Sequence, residues 1–166
     1  NAFITGMGKV KRIVLFDTLL SRLNADEICA VLAHELGHWK LRHLIYRLAL
    51  LWAVQVVLIF CAYLMWHFGF AQDLHIQSPQ AFAIYGFISL SAVMTLTFQP
   101  LILYLSRRQE LQADRFAAES LDREGVIQAL SKISTDNLSW LPSCKLYAMW
   151  YSTHPSMFER INMLSQ

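Results

Sequence analysis

Between Leu48 and Trp66 the chain runs nineteen residues with Gln55 as its one clearly polar side chain. A helix of that length rises about 28 Å at ~1.5 Å per residue, enough to cross the hydrocarbon core of a bilayer. A second stretch, Ala81 to Ser106, is also free of charge and long enough to span. It carries Ser89, Ser91, Thr95, Thr97 and Gln99, and Pro100 is expected to kink it. The competing reading is a pair of buried core helices in a soluble protein. Composition weighs against it: of 166 residues 55% are hydrophobic and only 16% charged, where soluble domains carry about 25% charged residues. The expected fold is mainly α and membrane-embedded, with two transmembrane helices and a small β element near the N-terminus.

The chain divides accordingly into three parts. Residues 1–43 hold the N-terminal strand region and a motif-bearing helix. Residues 44–106 form a transmembrane hairpin, with spans at about 48–66 and 81–106. Residues 107–166 form a C-terminal segment. Asn1 to Gly8, with two glycines, reads as a turn-rich lead-in, and Lys9 to Phe16 as one strand or half of a hairpin. Asp17 or Thr18 is a candidate N-cap for a short helix over 19–23. Asn24 and Glu27 form a capping-box-like pair that starts the next helix. Asp122 to Gly125 makes a break before a short helix over 126–133, and Asp136 to Ser143 reads as loop. The chain opens on Asn1 rather than methionine and shows no signal-peptide pattern, which reads as a piece of a longer protein.

Charge sets an orientation. Arg42, His43 and Arg47 flank the first span and Arg107 and Arg108 follow the second, whereas the loop between them holds Asp73 and His75 but no lysine or arginine. By the positive-inside rule both outer ends face the cytosol. His43, His67 and His75 sit at span ends, where interfacial polar residues are expected, and the sequence assigns them no chemistry. Net charge is +2 and no basic run interleaves with aromatics, so nucleic acid is not an expected partner. Cys29, Cys61 and Cys144 form no CxxC pattern and read as ordinary small apolar residues.

Just before the first span stands His34-Glu35-Leu36-Gly37-His38. On a helix, positions i and i+4 share a face, so both imidazoles point at one spot and can bind one zinc ion. Glu35 can reach a metal-bound water and act as general base. A catalytic zinc usually has three protein ligands and one open position. Glu110 is the expected third, and Asp114, one turn later on the same face, can accept a hydrogen bond from a ligand histidine's other ring nitrogen. The long interval between His38 and Glu110 suits a hairpin that leaves the cytosol by one helix and returns by the other. Gly37 allows close approach of another backbone. His154 and Arg160 are candidate donors to a tetrahedral intermediate.

Several strings add a family resemblance. Asn1-Ala2-Phe3, Lys11-Arg12-Ile13-Val14-Leu15-Phe16-Asp17-Thr18-Leu19-Leu20 and His34 through Trp39-Lys40 closely resemble the CAAX prenyl protease 1 family. So do Ser106-Arg107-Arg108-Gln109-Glu110-Leu111-Gln112-Ala113-Asp114 and His154-Pro155-Ser156-Met157-Phe158-Glu159-Arg160. The resemblance implies a membrane-embedded helical zinc metallopeptidase with His34, His38 and Glu110 as ligands to one Zn2+ and Glu35 as base. It also implies Asn1 and His154 near the scissile carbonyl, with Arg160 beside them as support. Its members cut C-terminal residues from prenylated CAAX proteins and have seven spans, so five preceding spans are implied as missing partners, alongside the lipid bilayer and a peptide or prenylated substrate. The membrane would be endoplasmic reticulum in a eukaryote or the inner membrane in a bacterium.

Two other functions compete. A quality-control protease of the HtpX-like kind shares the zinc layout, but the Arg12-to-Leu20 string and Trp39-Lys40 favour the CAAX type. A non-catalytic membrane scaffold with a structural zinc needs no base beside the metal, and Glu35 argues against it.

Overall fold

The structure, a computed structural model, describes residues 2–5, 12–70, 77–136 and 144–166. Strands β1 (Ala2–Thr5) and β2 (Arg12–Leu15) pair antiparallel, with Ala2 opposite Leu15 and Thr5 opposite Arg12. A strand thus occupies part of the lead-in expected to be turn-rich, because β2 presents it with a pairing edge. Seven helices follow among the described residues: α1 (Asp17–Leu20), α2 (Ala25–Lys40), α3 (His43–His67), α4 (Pro79–Ser120), α5 (Arg123–Asp136), α6 (Lys145–Tyr151) and α7 (Met157–Ser165).

Local chemistry explains most boundaries. Asn24 Oδ1 accepts from Glu27 N at 2.8 Å while Glu27 Oε2 accepts from Asn24 N at 2.7 Å, so the expected capping box opens α2. A second box, Ser156 with Glu159, opens α7. α1 departs from expectation: it starts at Asp17, after Phe16, with no side-chain cap. α5 begins earlier than expected, at Arg123, because Asp122 Oδ2 accepts from Gly125 N at 3.0 Å and caps its first turn. α6 lies where no helix was expected.

The larger correction concerns α4. The second span and the segment after it are one helix of 42 residues with Pro100 inside it. Proline removes one backbone donor but does not end the helix, a tolerance that membrane-spanning helices share. The uncharged part ends at Ser106, and Arg107 begins a charged part that carries Glu110 and Asp114.

The chain forms two units, Asn1–Leu44 with Ile102–Gln166, and Ile45–Leu101. In the second, Trp66 of α3 meets Phe82 of α4 with ring centroids 5.5 Å apart, and Leu58, Ala62 and Phe82 are buried. Most of the rest of both helices is apolar and uncovered: only 11% and 6% of their most apolar windows are buried. A soluble core helix would have to be covered. In the first unit, Ala30 and Ala33 of α2, Ala117 of α4, Val126, Ala129 and Leu130 of α5 and Leu164 of α7 form the core. Four alanines at the contacts let the backbones approach closely. Lys132 of α5 reaches Glu27 of α2 at 2.8 Å and ties the two helices at their outer edge.

Candidate metal centre

The site is built where α2 crosses the charged part of α4, both within the first unit. Gly37 makes the crossing possible. A Cβ there would stand 3.1 Å from the Cα of Ala113 and 3.1 Å from Phe116 Cδ1. The expected close backbone approach is present, one residue before His38 and three after Glu110.

That approach brings together side chains 72 or more positions apart. His38 Nε2 lies 3.2 Å from His34 Nε2 and 3.4 Å from Glu110 Oε1, and His34 Nε2 lies 3.7 Å from Glu110 Oε2. Ligands at about 2.0–2.1 Å on a tetrahedron sit about 3.3–3.4 Å apart, so the three edges have the right size for one small cation. The tautomers point the same way. His34 Nδ1 is 2.8 Å from Asp114 Oδ1, and an ionised carboxylate can only accept, so Nδ1 carries the hydrogen and Nε2 presents its lone pair. A lone pair, a second imidazole and a carboxylate converge on one point, and a cation satisfies all three. His34, His38 and Glu110 can hold a metal ion.

Around this triangle lies a supporting layer. Asp114 is 1% exposed and takes two hydrogen bonds from Arg160, Nε to Oδ2 at 2.7 Å and Nη2 to Oδ1 at 2.6 Å. Burial works to raise its pKa, but Arg160 and His34 hold its carboxyl below the ordinary aspartate value. Burial likewise opposes ionisation of Glu110, yet the hydrogen bond from His154 and the charges of His154, His38 and His34 keep it below the usual glutamate value. Glu35 is shifted the other way: desolvation raises its pKa, His34 offsets part of this and Glu110 adds to it.

His154, on the segment between α6 and α7, is exposed and places Nδ1 3.0 Å from Glu110 Oε2. Arg160 directs its Nε and Nη2 at Asp114. Asn1 lies outside the described residues. His43, to which the sequence assigned no chemistry, is 4% exposed, and its Nδ1 stands 2.9 Å from His38 Nδ1. Helical spacing does not reveal this contact, because i and i+5 do not share a face. The break at Leu41–Arg42, with Arg42 at φ 56°, turns His43 back against His38.

Two helices are long and apolar enough to cross a membrane, and a His-His-Glu triangle can hold a metal ion. Residues 1–166 match peptidase family M48, and the chain belongs to that family. It is 37% identical to a CAAX prenyl protease 1 homolog of Arabidopsis thaliana over 99% of this chain and 39% of that protein. It is 33% identical to the CAAX prenyl protease 1 homolog of Homo sapiens over 99% of this chain and 43% of that one. The crystal structure of S. mikatae Ste24p superposes with a TM-score of 0.77 at 29% identity, covering all of this chain and 43% of the other. The chain thus spans about two fifths of the length of these relatives.

Proposed function

We propose that this chain carries the catalytic part of a zinc-dependent membrane endopeptidase that removes C-terminal residues from prenylated, CAAX-type proteins. The observation that carries it is the triangle of His34 Nε2, His38 Nε2 and Glu110, with edges of 3.2–3.7 Å and acceptors that converge on one point. Two imidazoles and one carboxylate are the donor set of zinc peptidases, which leaves a coordination position open. When bound there, zinc supplies Lewis acidity, polarising a peptide carbonyl and lowering the pKa of water.

The chain's own residues do the rest. Glu35 follows the first ligand on α2, and its half-buried carboxyl, raised by desolvation, is suited to take a proton from the attacking water. It then returns that proton to the leaving amine. His154 donates through Nδ1 to Glu110 and, exposed beside the metal triangle, is placed to donate to a developing oxyanion. Asn1 is retained from the family resemblance as a further contact to the scissile carbonyl. Arg160 acts through Asp114, which fixes the tautomer of His34.

The relatives' name, CAAX prenyl protease 1, supports the substrate class. Basic residues at both outer ends of α3 and the uncharged part of α4 support a site at the cytosolic face, in the endoplasmic reticulum membrane of a eukaryote or the inner membrane of a bacterium. The test is metal analysis of the full-length protein paired with cleavage of a farnesylated CAAX peptide. Stoichiometric zinc with cleavage of the farnesylated peptide is the expected result. Cleavage confined to unmodified, misfolded membrane proteins would instead establish the quality-control reading, and a protein without metal would remove the centre altogether.

A further inference from the structure

Beyond the ligands and Asp114 lies a second polar chain. His43 is almost fully buried at the start of α3, between His38 and Gln112. Its Nδ1 stands 2.9 Å from His38 Nδ1, and its Nε2 stands 3.2 Å from Gln112 Oε1. Arg42 immediately before it is the one non-glycine residue in the left-handed region among the described residues. Such a residue persists only where its surroundings hold it.

We propose that His43 is a positioning residue that, with Gln112, fixes His38 in the ring tautomer the metal requires. The proposal rests on His34, His38 and Glu110 being a metal centre. Two imidazole nitrogens 2.9 Å apart need one hydrogen between them, and the oxygen of Gln112 decides whose it is. That oxygen accepts from His43 Nε2–H, so neutral His43 offers a lone pair at Nδ1. His38 then donates Nδ1–H to it and turns the lone pair of Nε2 toward His34 Nε2 and Glu110. With the hydrogens reversed, His38 would carry its hydrogen on Nε2 and point a donor where a cation belongs.

The two histidines are thus backed differently. A carboxylate stands behind His34 and a neutral imidazole behind His38. A carboxylate raises a ligand's basicity, whereas the imidazole orients its ligand without adding charge to the centre.

The test is zinc affinity of the full-length protein, measured by competition with a chromophoric chelator, beside the unfolding temperature of the metal-free protein. His43→Leu fills a similar volume but accepts nothing, and is expected to bind zinc about 10–100-fold more weakly. His43→Gln, which restores a carbonyl acceptor, recovers most of that loss. Gln112 is exposed, so its variants avoid the buried core. Gln112→Lys, a donor only, weakens zinc binding, and Gln112→Glu, an acceptor only, tightens it. Unchanged affinity in His43→Leu, with or without a lower unfolding temperature, overturns the proposal, as does His43→Gln binding no better than His43→Leu. Wild-type protein that binds no zinc overturns the metal centre and this inference with it, an outcome distinct from equal affinities across the series.

Discussion

Arg160 grips Asp114 with both ends of its guanidinium edge, Nε on Oδ2 at 2.7 Å and Nη2 on Oδ1 at 2.6 Å. The same carboxylate holds His34 Nδ1 at 2.8 Å. One buried side chain thus joins α7 to α2 through α4, and the cation keeps it ionised. Removing one partner of a buried pair strands the other and costs about 3–5 kcal/mol. Arg160→Met is therefore expected to lower unfolding stability by that order and to loosen His34. Arg160→Lys keeps the charge but loses the fork, so it should fall between. Chemical unfolding of the three proteins checks the order, and equal stability of Arg160→Met and wild type would deny the pair its structural role.

The catalytic half of the site has a sharper signature. Glu35→Gln preserves shape and leaves His34, His38 and Glu110 in place. The expected outcome is wild-type zinc content with hydrolysis reduced about 10²–10⁴-fold, the usual contribution of a positioned base. Atomic absorption and a peptidase assay on the same sample decide it. Loss of zinc together with activity would mean that Glu35 belongs to the metal-holding set.

Much of this site is written in short-range spacing. His34 and His38 are i and i+4 on α2, Glu110 and Asp114 are i and i+4 on α4, and charge-free stretches explain the interval between the pairs. Helical periodicity carries all of that. His43 escaped because its contact with His38 depends on a left-handed residue at Arg42, and an arginine gives no hint of positive φ. The partnership of Arg160 with Asp114 spans 46 positions and depends on how α7 packs, which no local pattern encodes. The continuity of α4 past Ser106 was hidden because the change from an uncharged to a charged stretch at Arg107 reads as the end of a span, although one helix runs on to Ser120. β1 lies beside glycines that mask a strand until its partner β2 is in place.

Gly37 sets the spacing between the two ligand-bearing helices. Alanine there adds up to ~1 kcal/mol of helix propensity, but its Cβ meets the Cα and carbonyl oxygen of Ala113 at 3.1 and 3.2 Å. Both are backbone atoms on α4, which cannot rotate aside as a side chain does. Overpacking costs about 1–3 kcal/mol, so Gly37→Ala is expected to be destabilising on balance and Gly37→Val more so. Because the clash lies one residue before His38 and three after Glu110, zinc affinity should fall in the same order. Calorimetry with metal-free and metal-loaded protein separates the two effects, and a stabilised Gly37→Ala would show that α4 yields at Ala113.

Arg107 offers a way to disturb substrate handling without touching the metal. Its Nη1 donates to the carbonyls of Ala148 and Ser152, both at 2.9 Å. These acceptors lie in and just past the last turn of α6, where the Ala148 carbonyl also accepts from Ser152 N at 3.1 Å. His154 follows Ser152 by two residues and stands exposed, with its Nδ1 3.0 Å from Glu110 Oε2. Arg107 is thus an anchor for the segment that presents His154, at the point where the uncharged part of α4 ends. Arg107→Met should release that segment, raising hydrogen exchange over residues 148–156 and lowering turnover in the direction of His154→Ala. Zinc content should stay at the wild-type level, since none of His34, His38 and Glu110 depends on Arg107 for its place. Lost zinc in Arg107→Met would show instead that α6 supports the metal centre itself.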